Sequence, residues 1–225
     1  MGIAKSCMTI LDRYIAAAGL SYVGMRMCEF GNQHLLEFAT GSAKTYFERL
    51  GVDHTSYDLN GEDGALAVDL AIPLDVSDSF DVVTNFGTCE HIPEIYTAFL
   101  NAHNLCRVGG LMVHAMPHVG HWPGHGFYTF TPEFFLKLAE AACYRVVGVE
   151  VNHICGNPAT CQLVYAGLMR TVNKAFIARN KFAELPITVV EYPERERPAV
   201  TQLPLGYRSH RRWESPQAGL EDEFR

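Results

Sequence analysis

The sequence predicts an α/β protein built on a doubly wound, mostly parallel, seven-stranded sheet with helices on both faces. Short apolar runs typical of buried strands alternate with amphipathic helical segments along most of the 225 residues. Parallel neighbours in a sheet need crossover connections, so this alternation favours parallel strands covered by helices. The chain is long enough for one such core and too short for two ordinary enzyme domains.

Composition indicates a globular protein and disfavours several classes of partner. Hydrophobic residues make up 48% of the chain and charged residues 19%, so burial can offset the entropy lost on folding. A formal net charge of -7 disfavours nucleic-acid binding, which requires clustered Lys and Arg. No apolar run is long enough to cross a bilayer, and the seven scattered cysteines favour reduced thiols in a cytoplasmic protein. We therefore expect a small-molecule substrate, with no nucleic acid and no membrane as partner.

The elements follow one another in a regular order. Helices are predicted over residues 9–18, 42–50, 93–106 and 132–142. Strands are predicted over residues 24–30, 54–58, 65–70, 80–85, 111–114, 144–151 and 161–169. Thr131 is expected to cap the last helix, with Glu133 in its first turn. Gly109 and Gly110 are expected to break the preceding helix before the fifth strand begins.

The chain divides into three segments. Residues 1–22 form a lead-in helix, residues 23–170 the α/β domain, and residues 171–225 a C-terminal extension. Prolines and a run of alternating charge interrupt any long element in the extension. We expect it to wrap the domain, to contact a second subunit or to stay mobile, so it is the candidate surface for a homo-oligomer.

Candidate ligand-binding residues follow the first two strands, because ligands of doubly wound sheets bind beyond the carboxyl ends of the strands. Gly31 lets the backbone approach a ligand closely, and Glu29 can accept hydrogen bonds from a cationic amine or shape the turn. Asp58 can accept both hydroxyls of a ribose. An ordinary glycine turn and a loop aspartate explain the same residues without a ligand.

Five segments, taken in order, resemble the class I S-adenosylmethionine-dependent methyltransferases. They are CEFGNQ (residues 28–33), YDLNG (57–61), SFDVV (79–83), CEHI (89–92) and RVGG (107–110). Residues 130–135 also resemble the helix start that follows the fifth strand in that family. The resemblance spans roughly residues 20 to 170 and implies a Rossmann-like methyltransferase fold with S-adenosylmethionine as cofactor.

The resemblance also implies roles for individual residues. Glu29 and Gly31 would line the amino-acid end of the cofactor, Asp58 would take the ribose, and Asp69 would lie near the adenine. Residues 85–88 would lie beside the methyl group and the substrate. The full set implied to bind cofactor is Glu29, Gly31, Asn32, Gln33, Asp58, Leu59, Asp69, Asn85 and Gly87.

Glu90, His91 and His125 are the candidate catalytic residues. Glu90 and His91 should open the helix that faces the methyl donor, where an imidazole can accept a proton near neutral pH. Helix capping by Glu90 is the structural alternative. In some related O-methyltransferases a Glu-x-x-Glu-His pattern holds a divalent metal, but Gly87 stands in the first glutamate position, so no metal site is predicted.

The segment after the fifth strand is rich in histidine. It contains His114, His118, His121 and His125. We interpret these side chains as lining a substrate pocket, while chelation of a metal and ordinary surface exposure remain alternatives.

The sequence therefore predicts methyl transfer from S-adenosylmethionine to an oxygen or nitrogen of a small molecule, with His91 or His125 assisting the acceptor. Gln33 and Leu35 stand where the family pattern has further glycines. A methyltransferase-like binding or scaffold protein without catalysis is therefore an alternative. A nicotinamide-dependent oxidoreductase is a weaker one, because the GxGxxG pattern is absent.

Overall fold

A computed structural model describes residues 2–35, 41–122, 124–153 and 161–190. Its centre is a seven-stranded sheet. The strands, numbered along the chain, are β1 (Arg26–Phe30), β2 (Asp53–Asp58), β3 (Leu66–Ala67), β4 (Phe80–Phe86), β5 (Cys106–Pro117), β6 (Tyr144–His153) and β7 (Gln162–Arg170). Their order across the sheet is β3-β2-β1-β4-β5-β7-β6.

The sheet is mostly parallel. Strands β1 to β5 pair in parallel, while β7 lies antiparallel between β5 and β6. The chain begins at the centre with β1, moves outward to β3 and returns to β4 on the other side of β1. The topological switch point therefore lies between the carboxyl ends of β1 and β4. The predicted fold class is confirmed.

Helices cover both faces of the sheet. They are α1 (Lys5–Ala17), α2 (Ala43–Arg49), α3 (Ile95–Leu105), α4 (Pro132–Ala142) and α5 (Arg179–Phe182), with a 3-10 turn at Cys89–His91. Short two-residue strands also pair outside the central sheet in the described residues: Gly2–Ile3 with His34–Leu35, and Tyr128–Thr129 with Thr188–Val189. Thr131 caps α4, as predicted, by accepting a hydrogen bond from the Phe134 amide.

The core has two layers, one on each face. Leu11 of α1 and Phe47 of α2 pack with the sheet on one side. Phe99 of α3 and Phe134 of α4 pack with it on the other. The first part of the C-terminal extension joins this second layer, where Phe182 is buried. Most of the extension, residues 191–225, lies outside the described residues.

Two strands differ most from the prediction. β3 is only two residues long, and β5 begins directly after α3, so Gly109 and Gly110 lie inside the strand. Gly109 has a φ of +80°, and the pairing with β4 shifts register between Phe80 and Val82. A Cβ at Gly110 would lie 2.9 Å from the Asp81 carbonyl oxygen. These glycines therefore allow an irregular, close strand pairing instead of ending a helix.

Among the described cysteines, one departs from the prediction. Cys7, Cys28, Cys89 and Cys106 are free and buried, as expected, and Cys143 is free and exposed. Cys161, just before β7, is instead disulfide-bonded, so the prediction of reduced thiols throughout is wrong. Scattered spacing along the sequence does not reveal which thiols a loop brings within bonding distance.

Within the part of the chain that the structure describes, none of the helices is both long and apolar enough to cross a membrane.

Candidate functional site

The switch point collects most of the predicted site residues. β1 ends in a turn at Gly31, whose amide donates to the Tyr57 carbonyl oxygen at 2.8 Å and whose φ is +91°. A Cβ at this position would lie 2.6 Å from Thr88 Oγ1 and 2.7 Å from Gln33 Nε2. The turn therefore requires glycine both for its backbone angle and for the close approach of two side chains.

Asp58 ends β2 beside this turn. Its Oδ2 accepts the Asn32 amide at 2.7 Å, and its Oδ1 accepts the Asn60 amide at 2.9 Å. A carboxylate offers about four lone-pair sites, so each oxygen keeps capacity for another donor. The sequence placed Gly31 and Asp58 on neighbouring strands, and the structure joins them through one hydrogen bond at Asn32.

Two exposed apolar residues, Leu59 and Ile72, belong to the segments that follow Asp58 and β3. Leu59 is 69% exposed and Ile72 is 58% exposed, and the Val68 amide donates to the Asp58 carbonyl oxygen at 3.1 Å. Asp69 uses its Oδ1 to accept the Ala71 amide, so its carboxylate shapes the segment that carries Ile72. Exposed apolar side chains next to a carboxylate suit a ligand with a planar apolar part and a hydroxylated part.

Glu29 lies behind the turn. Its side chain is buried, its Oε2 accepts the Gln33 amide at 3.4 Å, and its Oε1 has no partner among the described residues. Burial raises the pKa of Glu29 to about 8, and the nearby charge of Asp58 adds to the rise. His54 Nε2 lies 3.8 Å from Glu29 Oε2, and burial lowers the pKa of this histidine to about 4. Both side chains are therefore neutral near pH 7.

The side chains of Gln33 and Thr88 bridge the ends of β1 and β4. Gln33 Nε2 donates to the Phe86 carbonyl oxygen at 3.0 Å and approaches Thr88 Oγ1 at 3.3 Å. The Thr88 hydroxyl donates to the Phe30 carbonyl oxygen at 2.7 Å. Gln33 Oε1 is buried with no partner in the described chain. Gln33, which stands where the family pattern has a glycine, thus has one acceptor oxygen without a hydrogen-bond partner in the described residues.

Asn85 and Gly87 shape the end of β4. The Asn85 side chain is fully buried; its Oδ1 accepts the Cys89 amide at 3.0 Å, and its Nδ2 lies 3.2 Å from His114 Nδ1. Gly87 has a φ of +69° and its amide donates to the Ala115 carbonyl oxygen. The Asn85 side chain faces the core and not the switch point, so its polar atoms hold the 3-10 turn in place.

Glu90, His91 and His125 converge next to this turn. Glu90 Oε1 lies 3.8 Å from His91 Nε2 and 3.7 Å from His125 Nε2, and the two imidazole rings meet edge to face at 4.7 Å. The Phe127 amide donates to the Glu90 carbonyl oxygen at 2.6 Å, which ties the loop after β5 to the turn after β4. Three residues selected from the sequence therefore form one cluster.

The chemistry of this cluster follows from its burial. Glu90 is 1% exposed, whereas the two imidazole side chains are each 30% exposed. Burial lowers the pKa of His91; Glu90 opposes this effect and His125 adds to it. His91 is therefore neutral at neutral pH, and can accept a proton or donate a lone pair.

No protein-family model matches the sequence, and a search of the curated proteins found no significant match. Solved structures do match. The 1,6-didemethyltoxoflavin-N1-methyltransferase of Burkholderia thailandensis, solved with 1,6-didemethyltoxoflavin and S-adenosylhomocysteine, superimposes with a TM-score of 0.50 and 19% identity. The match covers 73% of this chain and 81% of that one. The chain has the class I methyltransferase fold.

A further methyltransferase structure is also similar. The N-methyltransferase NodS of Bradyrhizobium japonicum WM9 has a TM-score of 0.49 and 16% identity, over 72% of this chain and 93% of that one. The assignment of the methyltransferase fold rests on the first structure, and it confirms the resemblance seen in the sequence at the level of the fold.

Within the methyltransferase fold, the predicted site residues fall into two groups. Those that line the switch point are Asp58, Leu59, His91 and His125, which are at least partly exposed, and Gly31, Asn32, Gln33 and Glu90, which are buried. Glu29 and Asn85 are buried beneath it, and His114 is stacked on Phe99 in the core. The sequence did not indicate that His54 approaches Glu29, because a buried histidine in a strand carries no distinguishing pattern.

Proposed function

We propose that this chain binds S-adenosylmethionine at the switch point of its methyltransferase fold and transfers the methyl group to an oxygen or nitrogen of a small molecule. The observation that carries the proposal is the hydrogen bond from the Asn32 amide to Asp58, which places the carboxylate against the glycine turn. The structurally similar Burkholderia thailandensis enzyme was solved with S-adenosylhomocysteine, the demethylated form of this cofactor.

The residues at the switch point fit an adenosyl group. The spare lone pairs of Asp58 would accept the two ribose hydroxyls, and the exposed side chains of Leu59 and Ile72 would pack against the adenine. Burying that apolar surface favours binding.

The residues near Gly31 fit the amino-acid end of the cofactor. Gln33 Oε1 and Glu29 Oε1 are buried acceptors without partners in the described residues. Leaving such atoms unpaired is costly, and an ammonium group is a donor that would satisfy them. The bound cofactor would supply an electrophilic methyl group on a sulfonium centre.

Glu90, His91 and His125 would serve the methyl acceptor. Methyl transfer depends mainly on alignment, but an acceptor hydroxyl or ammonium must also lose a proton. The imidazole of His91 or His125 would accept that proton. The carboxylate of Glu90, within 3.8 Å of both rings, would then stabilise the imidazolium.

A second candidate is a binding or scaffold protein that has lost catalysis. The observation that favours it is the packing of Gln33 and Thr88 against Gly31, 2.6–2.7 Å from where a Cβ would lie. A cofactor approaching the turn would have to bind to these side chains or displace them.

Isothermal titration calorimetry with S-adenosylmethionine, S-adenosylhomocysteine and NADH tests which cofactor the chain binds. We expect the first two ligands to bind and NADH not to bind. Binding of NADH alone would overturn the proposal in favour of an oxidoreductase. A chain that binds none of the three would be the scaffold.

A further inference from the structure

The cluster of Glu90, His91 and His125 has the composition of a metal site. Its ligand atoms, one carboxylate oxygen and two imidazole nitrogens, all lie within 4.8 Å of one another. We propose that these three residues bind a divalent transition-metal ion of the zinc class. Two imidazoles and one carboxylate are a donor set that such ions accept.

The distances within the cluster favour a shared ion over direct hydrogen bonds. Glu90 Oε1 lies 3.8 Å from His91 Nε2 and 3.7 Å from His125 Nε2, beyond the reach of a hydrogen bond. In a tetrahedral zinc site with bonds of about 2.0–2.1 Å, neighbouring ligand atoms lie about 3.4 Å apart. The two carboxylate–imidazole distances would therefore need to contract by only a few tenths of an ångström, and no pair of ligand atoms in the cluster is more than 4.8 Å apart.

The burial of Glu90 is a second reason to infer a bound metal ion. Its side chain is 1% exposed, and its Oε2 has no hydrogen-bond partner within the described ranges. A buried carboxylate without compensation is costly, and buried charges are normally paired or coordinate metals. A cation bound at Oε1 would compensate the charge of this buried carboxylate.

The backbone around the cluster holds the ligands in place. The loop carrying His125 is tied to the turn carrying Glu90 by the Phe127 amide. Gly126 has a φ of +70°, and a Cβ there would lie 2.9 Å from the Glu90 carbonyl oxygen. Only a glycine allows His125 to approach Glu90 so closely, so the geometry is built into two separate segments.

The proposed site has room for an exogenous ligand. Three protein ligands leave at least one position of a tetrahedral ion open, as in catalytic zinc sites, and the two histidines remain 30% exposed. An ion there would polarise an acceptor oxygen or nitrogen and favour loss of its proton. This catalytic role rests on the proposed methyl transfer, whereas the binding of the ion does not.

The test measures binding of the metal alone to the full chain. The protein is stripped with a chelator, dialysed and titrated with ZnCl₂ by calorimetry, and then with CoCl₂ while the visible spectrum is recorded. We expect one ion per chain, with a Co²⁺ spectrum typical of low coordination by nitrogen and oxygen. His91→Ala and His125→Ala should each weaken Zn²⁺ binding at least about 100-fold, beyond the 10–100-fold typical of lost outer-shell partners.

The matched control is His121→Ala, which removes a histidine from the same loop but outside the cluster. It should leave the affinity for Zn²⁺ unchanged. Glu90→Gln, which preserves the shape of the side chain, should weaken binding as well, and circular dichroism verifies that each variant is folded. Absence of Zn²⁺ and Co²⁺ binding, or affinities for His91→Ala and His125→Ala equal to that of the control, would overturn the proposal.

The S-adenosylhomocysteine titration keeps the two proposals separate. Metal binding without binding of S-adenosylhomocysteine would retain the metal site and remove the methyl transfer. Binding of S-adenosylhomocysteine without metal would do the reverse.

Discussion

Gln33 shows how one residue changes the chemistry of the glycine turn. A glycine at this position would leave bare backbone beside Gly31, whereas the glutamine amide reaches across to the Phe86 carbonyl oxygen and Thr88. Its second polar atom, Oε1, is left without a partner in the part of the chain described. Compared with a glycine, the glutamine therefore restrains the turn through its hydrogen bonds and adds a buried acceptor. A cationic ligand could donate a hydrogen bond to this acceptor.

At the same scale, Asp58 provides a direct test of the adenosyl site. Asp58→Asn keeps an oxygen for the Asn32 amide but removes the charge that would bind the ribose hydroxyls. Hydrogen bonds to charged groups contribute about 1.5–3 kcal/mol, so we expect the affinity for S-adenosylhomocysteine to fall about 10- to 100-fold by calorimetry. Asp53→Asn, at the opposite end of the same strand, is the control and should bind normally. Equal affinities for the two variants would remove Asp58 from the site.

The sequence correctly identified those site residues whose place in the fold follows from their position at the end of a strand. Asp58 and Gly31 each follow a buried strand, and parallel strands bring their carboxyl ends together. The sequence could not show that His125 meets Glu90, because the contact depends on how the loop after β5 folds onto the turn after β4. The inward orientation of Asn85 was equally hidden, since adjacent residues of a strand face opposite sides.

At the scale of elements, the Tyr14 ring of helix α1 makes a close contact with two glycines of the sheet. Gly148 of β6 and Gly167 of β7 are directly opposite each other, and Tyr14 packs over both. A Cβ would lie 2.5 Å from the ring at Gly148 and 2.6 Å at Gly167. The Tyr14 hydroxyl also donates to Glu150 at 2.8 Å. The two glycines thus form a notch into which the ring fits.

This notch predicts a large effect from one methyl group. Gly167→Ala should lower the free energy of unfolding by about 1–3 kcal/mol, the usual cost of overpacking, as measured by urea denaturation. In a Tyr14→Ala background the ring is absent, so the added penalty should disappear. An identical penalty in both backgrounds would show that the cost arises in the strand itself and not at the helix contact.

Elements with strong local signals were predicted more closely than those set by packing. α4 begins after Thr131 as expected, because its cap and the following proline are local features. The notch formed by Gly148 and Gly167 could not be predicted from the sequence, because a glycine within a strand pattern indicates only a weak strand former. Strand β3 is shorter than predicted. Both of its residues are exposed, so burial of an apolar face does not determine its length.

At the scale of the whole molecule, alternation of strands and helices was sufficient to predict the sheet. It did not predict that β7 inserts antiparallel between β5 and β6. A parallel crossover needs a dozen or more residues, and the stretch between β6 and β7 is shorter than that. The short connection was therefore an available signal for an antiparallel pair.

Buried titratable groups make the stability of the whole fold depend on pH. Burial lowers the pKa of His54 and of His103 to about 4 and that of His114 to about 3, from 6.5. Arg170 contributes to the shift at His103. Burial raises the pKa of Glu29 from 4.5 to about 8. Below pH 6.5 these three histidines bind protons in the unfolded chain but not in the folded protein. The free energy of unfolding therefore decreases as the pH is lowered.

The titration of Glu29 makes stability depend on pH in the opposite direction. The folded state keeps its proton up to about pH 8, so this contribution to stability is complete below pH 4.5 and is lost as pH rises to 8. The four groups together therefore favour maximal stability near pH 6.5. Each proton corresponds to about 1.4 kcal/mol per pH unit, so the net slope is about 3 kcal/mol per unit on the acid side and about 1 on the alkaline side.

Glu29→Gln isolates the alkaline side of this profile. Glutamine does not titrate, so the decline in stability between pH 6.5 and 8 should flatten in the variant, measured as the free energy of unfolding in urea at each pH. The acid side, which then depends on the three histidines alone, should steepen from about 3 to about 4 kcal/mol per pH unit. Glu133→Gln, an exposed carboxyl on α4, is the control and should reproduce the wild-type profile. If Glu29→Gln retains the alkaline decline, Glu29 is ionised in the folded protein, and a charged carboxylate beneath the glycine turn would then be the natural partner of a cofactor ammonium group.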